Sequence, residues 1–261
     1  DNELKRKAVF TTNLDVPSDQ ARFGRTSDLK TGKVNEQYLA VYPASAVAKW
    51  NISIGDENPF CYVNVPAQQT AIKGSWDKNA AVLAATSETK EFVFRHVVSY
   101  LRFDVTEQSG EFVSVSLSSV NKEKLSGQQV GVRYVDSNKL EVIPNESSTD
   151  YVVLRSPENV AFEDGGYYMT FMPGEFSEGL TLTFTNAEGL VAEKTISQLT
   201  LSAGDVLDLD EITSLEFKEP GGTPVKLVKN SVYVENGVNQ GVVYWVDPEN
   251  PYKGKVVSAV S

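Results

Sequence analysis

The sequence predicts an all-β protein with two transthyretin-like antiparallel β-sandwich domains in tandem and a C-terminal β-hairpin tail. Valine, threonine, serine and aromatic residues are abundant, and glycine and proline are spread along the chain. No segment keeps an apolar stripe of helical period for three turns. Instead, about seven short apolar–polar alternations separated by turn residues occur in each half, which is the pattern of a β-sandwich.

The first half is expected to begin with a strand at residues 7–16. Further strands follow at residues 37–42, 47–54, 60–65 and 80–90, and residues 67–78 are predicted to be a connecting loop. The strongest strand signal is FVFRHVVSYLRFDV at residues 92–105, which is long enough to bend or to hold two strands. Its alternation places one set of side chains on a single face: Val97, Ser99, Leu101, Phe103 and Val105.

A polar stretch, EQSG at residues 107–110, is predicted to be a domain boundary. The expected domains are therefore residues 1–108 and 109–213, and residues 214–261 form a linker and tail. Strands are predicted at residues 112–117, 129–135, 139–143 and 151–154.

Residues 165–209 are expected to form an antiparallel meander. LTLTFT at residues 180–185 gives a strand with one apolar face, and a turn follows in which Gly189 is free to take a positive φ. Residues 190–196 then return along the first strand. An earlier strand, residues 167–172, stops at Pro173 because proline has no amide hydrogen for a ladder.

The tail is predicted to hold strands at residues 241–246 and 254–260. The first is apolar on both faces, which is typical of a strand covered on two sides. We expect the tail to pack on the second domain or beside another subunit, since a lone hairpin is marginally stable. It is also compatible with the start of a further module.

Composition excludes several classes of function. The net charge of −11 argues against nucleic-acid binding, which needs clustered lysine and arginine. Cys61 is the only cysteine, so no internal disulfide can form, and we expect it to pack as a small apolar side chain. No apolar run approaches the roughly 20 residues that span a bilayer.

Residues that carry chemistry occur only singly or in weak patterns. The sole histidine, His96, excludes most catalytic triads and is interpreted as a partly exposed strand residue. The acidic residues between positions 205 and 211 lack calcium-loop spacing and are interpreted as a solvated strand face. Glu163 and Asp164 are interpreted as a turn. The sequence therefore predicts no catalytic residues, metal site or cofactor, and no enzyme.

Two sets of residues keep a functional interpretation open. Trp50, Trp76 and Trp245, with the many tyrosines, are compatible with a sugar-stacking platform, although packing in cores or interfaces is the preferred interpretation. Arg22 and Arg25 lie in a polar stretch at residues 18–37 that we expect to be exposed. They are candidate sites of proteolytic processing, and the alternative is that they are ordinary solvated loop arginines.

Several stretches together resemble the fimbrillin-like (Mfa-like) surface proteins of Bacteroidetes. They are NVPAQQTAIKGSWDKNAAVLAATSE followed by FVFRHVVSYLRFDV, and GGYYMTFMPGEFSEGLTLTFTNAEGLVAEKTISQLTLSAGDVLDL. The resemblance covers residues 1 to about 213 and lies in strand and turn patterns. It implies two transthyretin-like β-sandwich domains, a lipoprotein signal, and a place in pili or their anchoring and tip assemblies on the outer membrane.

The resemblance also implies a mode of assembly. In polymerising members an arginine-specific protease removes the first strand, and a neighbour's terminal strand fills the groove by β-augmentation. In this chain, residues 7–16 would be the removable strand and Arg22 or Arg25 the cleavage point.

The tail resembles the opening of extra C-terminal modules, some lectin-like, so a tip or accessory adhesin is expected rather than a shaft pilin. The implied partners are other fimbrial subunits and a glycan or protein on a host or bacterial surface. A membrane is contacted only through a lipid anchor that is absent from this sequence. The alternative function is a carbohydrate-binding outer-membrane lipoprotein.

Overall fold

The structure is a computed structural model that describes residues 10–12, 23–25, 38–50, 61–87, 91–136, 139–220, 229–235, 238–246 and 254–257. Nearly all regular structure in these residues is β-strand, which confirms the predicted all-β sandwich class. The other regular elements in these ranges are two short 3₁₀ turns, Ala44–Ala46 and Pro157–Asn159.

The described strands are numbered in chain order. Up to residue 105 they are β1 (Phe10–Thr12), β2 (Phe23–Arg25), β3 (Tyr38–Tyr42), β4 (Val47–Trp50), β5 (Cys61–Val65), β6 (Gln68–Thr70), β7 (Leu83–Ser87), β8 (Arg95–His96) and β9 (Ser99–Val105). From residue 114 to residue 212 they are β10 (Ser114–Ser119), β11 (Gly127–Asp136), β12 (Lys139–Ile143), β13 (Tyr151–Arg155), β14 (Gly165–Phe171), β15 (Gly174–Phe176), β16 (Leu180–Thr185), β17 (Val191–Ile196), β18 (Leu199–Leu201) and β19 (Val206–Ile212). The last are β20 (Val232–Glu235), β21 (Val238–Val246) and β22 (Gly254–Val257).

The chain forms two compact units, residues 1–217 and residues 218–261. The larger hydrophobic core of the first unit lies between a five-stranded sheet, β17-β16-β10-β13-β6, and a three-stranded sheet, β14-β9-β19. Apolar side chains from both sheets fill it, among them Phe103, Met169, Leu182 and Phe184. This arrangement is a β-sandwich, because the inner faces of two sheets share one core.

A smaller core lies between the four-stranded sheet β12-β11-β5-β4 and the three-stranded sheet β3-β7-β8. Cys61, Val63, Ala84 and Val132 are fully buried in it. Cys61 therefore packs as a small apolar side chain, as predicted, and burial raises the pKa of its thiol to about 12.

Strand pairing crosses the stretch at residues 107–110. β5 pairs with β11, β6 pairs with β13, and β9 pairs with both β14 and β19. Each of these sheets therefore contains strands from both sides of that stretch, and β9 supplies side chains to both cores. Whether residues 1–108, 109–213 and 214–261 fold as separate domains stays a prediction.

The predicted meander is correct only in its hairpin. β16 and β17 pair antiparallel, and Gly189 in their turn has φ +86°. The remaining strands go to other sheets: β14 pairs with β9, β15 with β18, and β19 runs parallel to β9. The meander is wrong because alternation fixes which face of a strand is buried but not which strand it pairs with.

Two further elements differ from, or refine, the sequence prediction. The loop expected at residues 67–78 contains a strand, β6, which the sequence missed because it is only three residues long. The segment 92–105 holds two strands, β8 and β9, which was one of the two forms expected.

The second unit is a three-stranded antiparallel sheet, β20-β21-β22, rather than a hairpin. Within it Val243 is fully buried, whereas Val242 is 37%, Tyr244 50% and Trp245 40% exposed. The strand β21 is thus apolar on both sides but covered at only one of these four positions. A partner that covers the others stays a prediction.

One carboxylate organises the surface beside the larger core. Glu123 accepts hydrogen bonds from the hydroxyl of Ser119 and from the amide and hydroxyl of Ser177, at 3.0 and 2.9 Å. The hydrogen bond from the Ser119 hydroxyl, together with the two hydrogen bonds from Ser177, lowers the pKa of Glu123 from its usual 4.5 to about 2. These bonds tie the end of β10 to the turn that precedes β16.

This cluster predicts a loss of stability in acid. A carboxyl group with a lowered folded-state pKa stabilises the protein fully above pH 4.5, and the contribution is lost as the pH falls toward 2. We expect Glu123→Gln to lose stability at pH 7 and to depend less on pH between 4.5 and 2. Urea unfolding at several pH values measures this, with Glu188→Gln on the exposed β16–β17 turn as the control. A Glu123→Gln curve parallel to that of the unmodified protein would contradict the assignment.

Candidate functional site

One of the two candidate processing arginines, Arg25, lies beside the first strand. β1 pairs antiparallel with β2 over three residue pairs, and Arg25 is the residue opposite Phe10. β1 and β2 form a two-stranded sheet of their own. Arg22 directly precedes β2 and lies outside the described residues. Exposure of the whole stretch 18–37 therefore stays a prediction.

An aromatic cluster, here named the aromatic platform, consists of Trp76, Tyr100 and Tyr168. The Trp76 ring centroid lies 5.5 Å from that of Tyr100 and 5.8 Å from that of Tyr168, with the second pair edge-on at 90°. Tyr100 is buried, Tyr168 is half-buried, and Trp76 is 41% exposed. The tyrosines thus support an indole that keeps a large surface open to solvent.

The platform comes from three separate elements. Tyr100 is on β9, Tyr168 is on β14, and the two strands pair in the sheet over the larger core. Trp76 follows β6, in a segment held by two backbone hydrogen bonds. The Gly74 amide donates to the Gly166 carbonyl at 2.7 Å, and the Ser75 amide donates to the Ile72 carbonyl at 3.1 Å. The next residue, Asp77, accepts the Thr70 amide at 3.0 Å. Trp76 is therefore anchored on both sides.

A charged row continues the same sheet face. Tyr168 lies directly opposite Arg102 in the β14–β9 ladder. Arg102 donates to both oxygens of Asp208, at 2.9 and 2.7 Å, and to both oxygens of Asp104, at 2.8 and 2.7 Å. One guanidinium therefore holds two carboxylates in fixed positions beside the aromatic platform.

The ion pairs keep this row charged. The hydrogen bond to Asp208, with the charges of both carboxylates, raises the pKa of Arg102 above its already high value. The amide of Asp210, followed by Arg102, lowers the pKa of Asp208. The side chains of Arg102, Asp104 and Asp208 are 28%, 33% and 45% exposed, so all three are partly open to solvent.

Gly166 lies against the charged row. It lies opposite Asp104 in the ladder, and a Cβ at this position would be only 3.0 Å from the Asp104 carboxylate. Because Gly166 and Tyr168 are two residues apart on one strand, they share a face. The Asp104 carboxylate and the Arg102 guanidinium therefore occupy the space that a side chain at position 166 would take.

His96 is an exposed residue of β8 whose ring contacts Tyr100 at the edge of the platform, where a partly exposed strand residue was predicted. Its Nδ1 is 2.8 Å from the Tyr100 hydroxyl, and its ring is edge-on to the Tyr100 ring. Partial burial lowers the pKa of His96, so the imidazole is neutral at pH 7. Burial also raises the pKa of Tyr100 to about 12. The histidine therefore packs against the platform as a neutral ring.

Three acidic residues of β19 and its preceding turn, Asp205, Asp208 and Glu211, accept hydrogen bonds within the fold. Asp205 accepts the Ser202 amide at 2.7 Å, and Glu211 accepts the Thr106 hydroxyl at 2.6 Å. Glu163 pairs with Lys73 at 3.3 Å. Within the described ranges, no group of three or more potential metal-ligating residues is close enough to hold a metal ion.

Of the three tryptophans, Trp76 belongs to the aromatic platform, and a platform of all three stays a prediction. Trp76 belongs to the first unit and Trp245 to the second, where Lys255 lies 5.8 Å from its ring centroid. The side chain of Trp50 lies outside the described residues. Sequence reasoning named Trp76 but missed Tyr168 as its neighbour. The sequence signal for the rest of the site was the alternation in residues 92–105, which places Tyr100, Arg102 and Asp104 on one face of a strand.

No protein-family model matches the chain, and no curated protein matches it. Solved structures that are similar to it include a "putative cell adhesion protein" from Bacteroides uniformis, with a TM-score of 0.47 and 16% identity over 83% of this chain and 84% of that one. Another is a "putative cell adhesion protein" from Bacteroides ovatus, with a TM-score of 0.40 and 11% identity over 76% and 73% of the two chains.

The described residues contain no helix with the length and hydropathy needed to cross a bilayer.

Proposed function

We propose that this protein is a non-enzymatic fimbrial subunit at the cell surface, a tip or accessory adhesin that assembles by β-strand donation. We also propose that it is exported as an outer-membrane lipoprotein. The observation that supports strand donation is the pairing of β1, which among the described strands pairs with β2 alone. Removing β1 therefore breaks no ladder of the sheets that enclose the two cores.

Cleavage at each of the two arginines gives a different product. Cleavage after Arg25 removes both strands of the small sheet. Cleavage after Arg22 removes β1, which is held by only three residue pairs, and leaves the edge of β2 free. A free edge presents unpaired amide and carbonyl groups to an incoming strand, so Arg22 is the cleavage point that suits strand donation.

The test is limited digestion of the full chain with an arginine-specific protease, followed by intact mass and light scattering. We expect the first cut at Arg22 or Arg25, and self-association of the product cut at Arg22. The matched controls are Arg22→Gln and Arg25→Gln, each of which isolates the other site. First cuts within β9, or a product cut at Arg22 that stays monomeric at high concentration, would count against strand donation.

A second candidate function is a carbohydrate-binding outer-membrane lipoprotein. The exposed indole of Trp76 beside the Arg102 ion pairs favours it, because sites for polar ligands combine an aromatic surface with a few fixed polar groups. The two functions are compatible, since an adhesin on a fimbria needs a ligand site.

A further inference from the structure

We propose that the aromatic platform and the charged row form one binding site for a neutral pyranose sugar. The sugar packs its C–H face on the exposed indole of Trp76, and its hydroxyls donate to Asp104 and Asp208. This inference deepens the second candidate function, because it names the site and the class of ligand.

The aromatic half of the site meets the requirement for sugar stacking. A pyranose presents a flat patch of C–H bonds, and such a patch packs against the electron-rich face of an aromatic ring. Trp76 keeps 41% of its surface exposed although two tyrosine rings and two anchored flanks hold it in place. A ring fixed before binding loses little side-chain entropy when the sugar arrives.

The charged half supplies the hydrogen bonds. A carboxylate oxygen has lone pairs for more than one donor, so Asp104 and Asp208 can accept sugar hydroxyls while they remain bound to Arg102. Arg102 fixes both carboxylates at 2.7 to 2.9 Å, which orients them without a ligand.

The charge balance selects the class of sugar. Two carboxylates face one guanidinium, so the row carries an excess negative charge, and the whole chain has a net charge of −11. Sialylated and sulfated sugars are repelled by such a surface. The site is therefore suited to neutral hexoses at the ends or along the length of a glycan.

The experiment uses the full chain on an array of neutral and sialylated oligosaccharides, and then a titration with methyl β-D-glucopyranoside and methyl β-D-galactopyranoside followed by NMR. We expect binding to neutral glycans and an affinity at least tenfold lower for Trp76→Ala. Asp208→Asn, which keeps the side-chain shape, is expected to weaken binding as well. The matched control is Trp245→Ala, because Trp245 is 40% exposed and lies in the other unit.

Each result decides for or against the site. Binding lost in Trp76→Ala and kept in Trp245→Ala, at unchanged melting temperature, supports it. No binding to neutral glycans, a preference for sialylated ones, or equal loss in both variants overturns it. If Trp76→Ala changes the molecular mass in solution but not glycan binding, the proposal is also overturned. Trp76 would then form a contact between two copies of the chain. Arginine cleavage does not involve Trp76, so failure here leaves the test of strand donation intact.

Discussion

Replacing Gly179 with alanine is expected to destabilise the first unit by roughly 4 kcal/mol, a change at the large end for single substitutions. Gly179 has φ +83° and precedes β16. A Cβ there would overlap the carbonyl oxygen of Ile196 and lie 2.9 Å from the carbonyl carbon of Ser197. Both neighbours are backbone at the end of β17, so the substitution forces the β16–β17 ladder apart.

Gly189 provides the matched control for this prediction. It has φ +86°, and a Cβ there would meet nothing within 4 Å. Gly189→Ala therefore carries only the cost of a left-handed backbone, about 1–2 kcal/mol. Chemical denaturation of both variants separates the free-energy cost of the steric overlap from the cost of the left-handed backbone. Equal losses in the two variants would mean that the approach of Gly179 to β17 is not tight.

Replacing Gln69 with leucine is expected to destabilise the first unit by about 2–4 kcal/mol, because it leaves buried backbone groups without partners. The Gln69 amide donates to the Thr170 carbonyl at 2.6 Å, and its oxygen accepts the Thr170 amide at 2.9 Å. Gln69 is 3% exposed and Thr170 is fully buried. Leucine fills a similar volume but offers neither a donor nor an acceptor.

The neighbouring Gln68 is the matched control, since it is on the same strand but exposed. Gln68→Leu is expected to change stability by less than about 0.5 kcal/mol. Hydrogen exchange at the Thr170 amide provides a local readout: exchange should accelerate in Gln69→Leu and stay slow in Gln68→Leu. Slow exchange in both variants would imply that another group satisfies the amide.

Gln69 also has a role in positioning the candidate site. Its side chain joins β6 of the five-stranded sheet to β14 of the three-stranded sheet. Trp76 follows β6 in the chain and Tyr168 lies on β14. Loss of this link is therefore expected to loosen the contact between Trp76 and Tyr168 as well as to lower stability.

Part of the candidate site could be predicted from the sequence. The alternation in residues 92–105 placed Leu101 and Phe103 on one face, and both are fully buried. The same alternation placed Tyr100, Arg102 and Asp104 together on the other face. It did not show that Tyr100 is only 4% exposed, which follows because Tyr100 belongs to the smaller core and Trp76 packs on its ring. Alternation reports faces but not what covers them.

The sequence by itself determined the all-β class, most strand positions and the β16–β17 hairpin, because these depend on side-chain alternation and on local turn residues such as Gly189. The tertiary structure decided which strands pair. The pairings of β9 with β14 and β19 and of β5 with β11 join segments distant in the chain, and many registers satisfy the same alternation. The site was decided in the same way, since Tyr168 and Asp208 lie on either side of Arg102 only through the pairings of β9 with β14 and β19.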